Sequence, residues 1–330
     1  MNIIITGSLG LVGSTAAKYF LDQGHAVIGV DNDMRRHFFG ENGSVAGNMI
    51  NHCHYLHVGE DISKIEGLFE EHRPDVIIHC AAQPSHDWAA TNPLLDFGIN
   101  AYSTLMLLEF TKKHCPESVF VYFSTNKVYG DWPNNFPYKE GALRYDPDDE
   151  LIKNGFNEMT PIDHCTHSLF GCSKLTGDLY VQEYGRYFGM KTGVFRCGCI
   201  TGAGHAGVEQ HGFLSYLTKC KKDRKRYNIY GYKGKQVRDN IHAYDLVTAV
   251  DEFIKSPRPG EVYNMGGGFH SNISILEAIK KIGLKDYKYI DEPRKGDHIF
   301  YISNVSKFKK DYPNWKYTYD IDRIFEDLMK

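Results

Sequence analysis

The sequence predicts an α/β protein with a doubly wound parallel sheet and a smaller α/β unit toward its C-terminal end. Apolar, β-branched runs alternate with segments of helical periodicity through the first 196 residues. The first run ends in a glycine-spaced turn that opens a helix. After residue 196 the elements become shorter and less regular. We therefore expect a Rossmann-type domain over residues 1–196 and a second domain over 197–330, with elements free to cross the boundary.

The glycine turn joins a buried strand over residues 2–6 to a helix that begins with Leu11 and Val12. Gly7, Gly10 and Gly13 allow the backbone to turn tightly and to approach a pyrophosphate closely. The helix start adds unpaired N–H groups and the positive end of the helix dipole. The turn thus predicts a dinucleotide site, the alternative being a glycine turn that closes an ordinary βα unit.

The second strand, over residues 26–30, places an acidic residue where a dinucleotide ribose is bound. Asp31 follows the glycines by about 20 residues, as ribose recognition requires. Its charge repels a 2′-phosphate, so NAD is favoured over NADP, although Arg35 and Arg36 could hold that phosphate. We expect a loop over residues 32–49, beginning with Asn32, to flank the adenosine, and Asp61 to accept from the adenine amino group.

Composition excludes several classes of protein. The formal net charge of −3 provides no basic field for nucleic acid, and no apolar run reaches the roughly 18–20 residues of a membrane span. The N-terminus lacks the basic segment of a signal peptide. Eight cysteines in 330 residues do not form a disulfide framework. These features predict a reduced, cytoplasmic protein that binds neither nucleic acid nor membrane.

A cluster at His52, Cys53, His54 and His57 resembles a metal site in composition only. We expect a strand here, and alternate residues of a strand point to opposite faces. Zinc needs ligands that converge on one point. No metal site is predicted.

Small and polar side chains follow the fourth and fifth strands, at the edge where open α/β sheets bind ligands. Asn100 opens a helix over residues 101–114, and a long irregular segment over 132–165 is expected to cover or complete the site. The strand-end residues that we assign to the site are Ala81, Ala82, Gln83, Ser85, His86, Ser124, Thr125 and Asn126.

Several motifs resemble the extended short-chain dehydrogenase/reductase family and, within it, the CDP-paratose 2-epimerase group. The glycine motif marks only the superfamily, whereas the others are more specific. They are Thr6-Gly7-x-x-Gly10-x-x-Gly13, Ser124-Thr125-Asn126-Lys127-Val128-Tyr129-Gly130-Asp131, His167-Ser168-x-Phe170-Gly171-Cys172-Ser173-Lys174, Gln210-x-Gly212-Phe213 and Gly234-Lys235-Gln236-Val237-Arg238-Asp239-x-x-His242.

The resemblance implies an enzyme that uses NAD to oxidise a nucleotide-sugar carbon and then reduces the ketone from its other face. In that group the carbon is C2 of a CDP-linked 3,6-dideoxyhexose. The resemblance assigns Thr125 as the donor that holds the substrate oxygen and Lys174 as the cation that lowers the pKa of the base and bonds the nicotinamide ribose. It also implies a homodimer through helices 101–114 and 170–188.

Phe170 departs from the family pattern, which has tyrosine four residues before the lysine. Phenylalanine keeps the ring but has no proton to exchange, and losing a positioned general base costs about 10²–10⁴ in rate. Either this is a tyrosine-to-phenylalanine substitution made to trap a bound substrate, or the chain uses Thr125, water or another group, or only binds.

The resemblance also assigns the remaining ligand contacts. Arg238 and Arg294 match phosphate-binding positions, a task that suits the planar guanidinium. The cofactor residues are Gly7, Gly10, Leu11, Val12, Gly13, Asp31, Asn32, Asp61, Ile62, Ala81, Ala82, Gln83, Asn100, Ser124 and Lys174. The substrate residues are Gln83, Ser85, His86, Thr125, Asn126, Gln210, His211, Gly212, Gln236, Arg238 and Arg294.

Four other functions stay open at this point. A 4-epimerase or 4-ketoreductase would use the same scaffold, and so would a 4,6-dehydratase, although the latter usually has acidic residues where Asn126 and Lys127 stand. A catalytically silent NAD-binding sensor is favoured by Phe170 alone.

Overall fold

The computed structural model describes residues 1–294 and 296–330. A seven-stranded parallel sheet with the strand order β3-β2-β1-β4-β5-β8-β12 forms its centre, which confirms the predicted Rossmann-type fold. The described strands are β1 (Asn2–Thr6), β2 (Ala26–Val30), β3 (Tyr55–Val58), β4 (Val76–His79), β5 (Val119–Thr125), β6 (Tyr138–Glu140), β7 (Tyr145–Pro147), β8 (Lys191–Cys197), β9 (Cys199–Thr201), β10 (Tyr227–Tyr230), β11 (Val237–His242), β12 (Glu261–Met265), β13 (Asn272–Ser274), β14 (Tyr287–Ile290) and β15 (Phe300–Tyr301).

Helices cover both faces of this sheet, as the buried, apolar strands require. The described helices are α1 (Leu11–Asp22), α2 (Met34–Phe39), α3 (Glu66–His72), α4 (His86–Thr91), α5 (Pro93–Phe97), α6 (Ser103–His114), α7 (Ser168–Phe188), α8 (Phe213–Asp223), α9 (Ala243–Lys255), α10 (Ile275–Ile282), α11 (Ser306–Asp311) and α12 (Ile321–Met329). Helices α1, α9 and α11 bury one apolar core against the sheet, and α3, α6 and α7 bury the other.

The chain after residue 196 builds a second lobe but also returns to the first. A sheet of β9, β11, β13 and β15 and a parallel pair of β10 and β14 lie in this lobe. Helices α8, α10 and α12 share a third apolar core with them. Strand β12 and helix α9 nevertheless belong to the main sheet and its covering layer. The proposed boundary at residue 196 is thus crossed by the chain, and the two-domain division stays a prediction.

Two local predictions near the adenosine end are wrong. The segment 32–49 is not a plain loop, because it contains helix α2 and two short 3₁₀ turns. The strand expected around the histidine cluster begins only at Tyr55, so His52, Cys53 and His54 precede it in a turn. The alternation argument therefore does not apply to these three residues. Within residues 1–294 and 296–330, no group of three or more His, Cys, Asp or Glu side chains could hold a metal ion.

The segment 132–165 does not cover the predicted site, contrary to expectation. It forms the hairpin of β6 and β7 and packs against the second lobe, where Ile152 and Phe156 join Phe300 and Tyr301 in a small core. The Phe156 N–H donates to the Ile302 carbonyl at 2.8 Å. None of the residues 132–165 lines the cleft, although the Asn134 amide donates at 2.9 Å to the carbonyl of Asp297, which does.

Among the helices of the described residues, none combines the length and the apolar character that crossing a lipid bilayer needs.

Candidate active site

A large cleft with a volume of about 710 Å³ opens at the carboxyl edge of the main sheet, between the two lobes of the chain. Open α/β sheets bind ligands at this edge. Most of the predicted site residues line it, namely Gly7, Gly10, Leu11, Val12, Gly13, Asp31, Asn32, Asp61, Ile62, Ala81, Ala82, His86, Ser124, Thr125, Asn126, Phe170, Lys174, Gln210, His211, Gly212, Gln236, Arg238 and Arg294.

Three predicted site residues lie behind the wall of the cleft instead of on its surface. Gln83, Ser85 and Asn100 are each at most 2% exposed. The Gln83 amide donates to Asp96 Oδ1 at 2.7 Å, and the Asn100 amide donates to Asp96 Oδ1 and Ser173 Oγ, both at 3.0 Å. Ser85 Oγ accepts from a backbone N–H at the start of α4. In this arrangement their side chains hold the wall in place.

The glycine turn forms a cradle that only glycine can form. Gly7 has a φ of +67°, and a Cβ there would lie 2.6 Å from the Ala81 nitrogen. A Cβ on Gly13 would lie 2.1 Å from the Gly7 carbonyl oxygen. Leu11, Val12 and Gly13 at the start of α1 line the cleft, and helix starts leave their first N–H groups without intrahelical partners. The cradle therefore suits an anionic diphosphate.

At the adenosine end, Asp31 is held in place by the backbone. Its carboxylate accepts from the Leu9 N–H at 2.9 Å and from the Asp33 N–H at 2.8 Å, and burial raises its pKa. The two arginines that could have held a 2′-phosphate are engaged elsewhere. Arg35 donates to the Ala206 carbonyl at 2.8 Å, and Arg36 forms an exposed ion pair with a glutamate. This end of the cleft fits NAD.

Lys174 and Thr125 face the cleft from α7 and from the end of β5. The Lys174 ammonium donates to the Phe123 carbonyl at 2.7 Å and lies 4.1 Å from the centre of the Tyr122 ring. Burial lowers the pKa of Lys174 to about 8. The Thr125 hydroxyl accepts from the Lys127 N–H at 3.2 Å. Phe170 lies on the same lining and is 7% exposed.

A buried ion pair that was not predicted from the sequence lies behind the reacting region, which we define as Thr125, Phe170 and Lys174. Arg196 donates to both carboxylate oxygens of Asp178 at 2.9 Å, and the Ser124 hydroxyl donates to the same carboxylate at 2.6 Å. Asp178 lies four residues after Lys174, one helical turn along the same face. That spacing was the available signal, and it indicates a residue that orients the end of β5.

The opposite wall carries the predicted phosphate-binding arginines. Arg238 donates to the Val237 carbonyl at 2.7 Å and to the Asp297 carboxylate. Although burial acts to raise it, Arg238 and Lys127 hold the pKa of Asp297 well below its usual range. The Arg294 guanidinium lies over the Tyr230 ring at 4.2 Å. Sequence reasoning missed Asp297, which lies 59 residues from its partner.

Two buried amide oxygens on this wall lack partners within residues 1–294 and 296–330. They are Gln236 Oε1 and Asn240 Oδ1, and both residues line the cleft. A buried acceptor without a partner costs free energy of about 1–3 kcal/mol. Such atoms suit a ligand that brings hydrogen-bond donors.

The fold and the glycine cradle define a dinucleotide-dependent α/β enzyme, and the cleft beside the cradle continues to a wall that carries arginine and amide side chains. The chain belongs to the NAD dependent epimerase/dehydratase family, whose model matches residues 3–266. Its cofactor is NAD, which the cradle and Asp31 fit.

Individual proteins with which the chain compares differ in their reactions. It is 32% identical over 93% of its length, and 92% of the other chain, to a CDP-paratose 2-epimerase from Salmonella typhi. It is 27% identical over 99% of its length, and 88% of the other chain, to a dTDP-glucose 4,6-dehydratase from Escherichia coli. A UDP-glucuronic acid 4-epimerase from Bacillus cereus, solved with UDP-glucuronic acid and NAD, superposes with a TM-score of 0.76 at 21% identity, covering 100% of this chain and 98% of that one.

Proposed function

We propose that this protein is an NAD-dependent epimerase of a CDP-linked 3,6-dideoxyhexose that inverts C2 through a transient ketone. The 32% identity to a CDP-paratose 2-epimerase across 93% of the chain carries the proposal. The bound cofactor supplies hydride acceptance and return at the sugar carbon. The protein's part is to hold the sugar, exclude water and move the hydroxyl proton.

Thr125 and Lys174 are the residues we assign to the reacting carbon. Thr125 ends β5 and lines the cleft, and we assign its hydroxyl to hold the sugar oxygen. The Lys174 ammonium adds positive charge beside that oxygen and favours its deprotonated form. Phe170 contributes shape and apolar contact but no proton.

The nucleotide is proposed to lie along the far wall. Arg294, whose guanidinium lies over the Tyr230 ring, and Arg238 both line the cleft. Both offer guanidinium groups to a diphosphate. The unpaired Gln236 oxygen can accept from an amino group, which cytosine carries and thymine lacks at the same position.

Three other functions have specific observations behind them. A 4,6-dehydratase or a 4-epimerase is supported by the relatives of those names, but Asn126 and Lys127 stand where dehydratases usually have acidic residues. A silent NAD-binding sensor is supported by Phe170. The polar far wall, with its two arginines, favours an enzyme that holds a nucleotide sugar.

A homodimer is part of the proposal. Large apolar side chains are exposed along α7 and just before α6, where little within the chain covers them. They are Tyr102, Leu179, Tyr180, Tyr187 and Phe188. Pairing of α6 and α7 with the same helices of a second copy would bury them as a four-helix bundle. All eight cysteines are free thiols, which suits the cytoplasmic setting we propose.

Calorimetric titration with CDP-, UDP-, dTDP- and GDP-sugars tests the substrate class. We expect the CDP-sugar to bind most tightly and Arg294→Ala to weaken that binding, while Arg323→Ala on the exposed surface leaves it unchanged. Product analysis of the tightest ligand by NMR then identifies the inverted carbon. Preference for another base, or binding without turnover in both the native chain and Phe170→Tyr, would contradict the proposal.

A further inference from the structure

His86 occupies the space beside the ring that lacks a hydroxyl. It opens helix α4 just after the fourth strand of the sheet and lines the cleft. Its ring meets the edge of the Phe170 ring, with 4.9 Å between centroids and 67° between planes. The titratable imidazole of His86 therefore packs against Phe170, where the family pattern has a tyrosine with an exchangeable hydroxyl proton.

Ser168 holds the His86 ring from the other side. His86 Nδ1 and Ser168 Oγ are 2.7 Å apart, although 82 residues separate them in the chain. Ser168 has a φ of +64°, in the left-handed region that favours glycine. This conformation is strained for a serine, and the surrounding contacts must offset the strain. The Gly171 N–H also donates to the same hydroxyl, at 3.3 Å. The Ser168 hydroxyl is thus held within hydrogen-bond distance of the His86 imidazole.

The surroundings of His86 keep it neutral at pH 7. Burial lowers its pKa to about 3, and the cation of Lys127 contributes. The other charged or titratable groups that face it are Arg294, Asp297 and His211. Gly296 lies beside the ring, because a Cβ on it would stand 3.4 Å from His86 Nδ1, at ordinary van der Waals distance.

The second ring nitrogen is available to a ligand. In the part of the chain that the structure describes, the hydrogen bond of the His86 ring is the one between Nδ1 and Ser168 Oγ, and Nε2 makes none. With Nδ1–H donating to Ser168, the Nε2 lone pair can accept a proton. Lys127 and Lys174 also line the cleft but are less suited as bases. The Lys127 ammonium donates to the Gly296 carbonyl at 2.8 Å, and the Lys174 ammonium donates to the Phe123 carbonyl.

Building on the proposed function, we propose that His86 is a catalytic residue of this chain and that Ser168 is its positioning residue. The sugar O–H bond breaks and its proton forms an N–H bond on His86 Nε2. The C–H electron pair leaves as the hydride that NAD accepts, and a C=O bond forms. Both return in the reverse step, when the imidazolium gives the proton back to the oxygen, so that no other oxidant or acid is consumed.

The decisive experiment compares His86→Asn in two backgrounds. An asparagine amide can still donate to Ser168 but has no titrating lone pair. In the native chain we expect kcat to fall by about 10²–10⁴, with the calorimetric affinity for the nucleotide sugar unchanged. In Phe170→Tyr, where a tyrosine supplies the base, we expect a loss of less than about tenfold. Equal losses in both backgrounds would overturn the proposal.

Two further variants complete the test. His54→Asn makes the same chemical change at an exposed site and should alter nothing. Ser168→Gly removes the hydroxyl and suits the positive φ, and it should lower kcat and move the acid limb of the pH profile to lower pH. The reason is that the imidazolium loses a hydrogen-bond acceptor. An unchanged acid limb would mean that Ser168 is merely structural and would overturn its part.

The outcomes separate this inference from the proposed function. Activity of Phe170→Tyr on a nucleotide sugar together with an inactive native chain would overturn the role of His86 and leave the function standing. Inactivity of both would overturn both.

Discussion

The glycine cradle and the reacting region lie on the same cleft but depend on different properties of the chain. At the cradle, function requires the absence of atoms, since a Cβ on Gly13 would lie 2.1 Å from the Gly7 carbonyl oxygen. At the reacting region, function requires particular atoms. The Phe170 ring is buried and packs against His86 although it lacks the hydroxyl oxygen of a tyrosine. Binding of the cofactor is therefore a matter of backbone shape, whereas the reaction depends on single functional groups.

This difference explains how the chain can keep a glycine cradle that fits NAD and still carry phenylalanine where the family pattern has tyrosine. Exchanging tyrosine for phenylalanine removes one oxygen and keeps the aromatic ring, which here is 7% exposed. A change of similar size in the cradle, from hydrogen to methyl, meets the backbone directly. Side-chain chemistry can thus drift at the first site without disturbing the second.

The largest effect should come from removing the charge at the reacting region. Lys174→Met keeps the length of the side chain but not its cation, and we expect kcat to fall by about 10²–10³, as for loss of one group that stabilises a developing oxyanion. Steady-state kinetics measures it, with Lys288→Met on the exposed surface as the control. An unaffected kcat would remove Lys174 from the mechanism.

Phe170→Tyr is the converse experiment, because it adds the single missing atom. We expect turnover of the nucleotide sugar to rise by about 10²-fold, the lower end of the range for a positioned general base, since His86 already supplies one. Thermal unfolding should change little. A reverted protein that is no faster on any nucleotide sugar would contradict the assignment of this region.

Gly13→Ala tests the cradle. The clash with the Gly7 carbonyl should lower the free energy of unfolding by about 1–3 kcal/mol and release NAD, because the helix start must shift. Gly67→Ala is the matched control, since Gly67 lies in α3 with open space where a Cβ would stand. Denaturant titration and the dinucleotide content of the purified protein report the two effects. Retained NAD would show that the cradle is not the binding site.

Low pH should destabilise the strands beneath the glycine cradle through the buried histidine His79. His79 is buried between the Thr6 and Thr104 hydroxyls, and burial lowers its pKa to about 3. Unfolded histidine binds a proton near pH 6.5, so between these values the unfolded state binds more protons and stability falls as the pH falls. Each such histidine contributes about 1.4 kcal/mol per pH unit.

His79→Gln should therefore flatten the dependence of stability on pH between about 3 and 6.5 by that amount. Denaturant unfolding at several pH values measures it, and the exposed His54→Gln should leave the slope unchanged. A slope that does not change in His79→Gln would mean that this histidine is charged in the folded protein.

Much of this protein was readable from local sequence. The strand, glycine turn and helix at residues 2–22 follow from periodicity and from backbone sterics that act over a few residues. The position of Asp31 after β2, and the presence of Thr125 and Lys174 on the cleft lining, follow from the rule that the carboxyl ends of parallel strands meet at one edge. For these elements, neighbours in sequence are also neighbours in space.

Tertiary structure alone decided the contacts between distant segments. It placed Gln83, Ser85 and Asn100 behind the wall and turned segment 132–165 away from the cleft. It also joined Asp178 to Arg196, Arg238 to Asp297 and His86 to Ser168. Such pairs depend on how lobes pack and in which register strands align, and no local periodicity encodes a partner tens of residues away. The cofactor site could therefore be predicted from the sequence, whereas only the fold decided which side chains meet around the proposed reacting carbon.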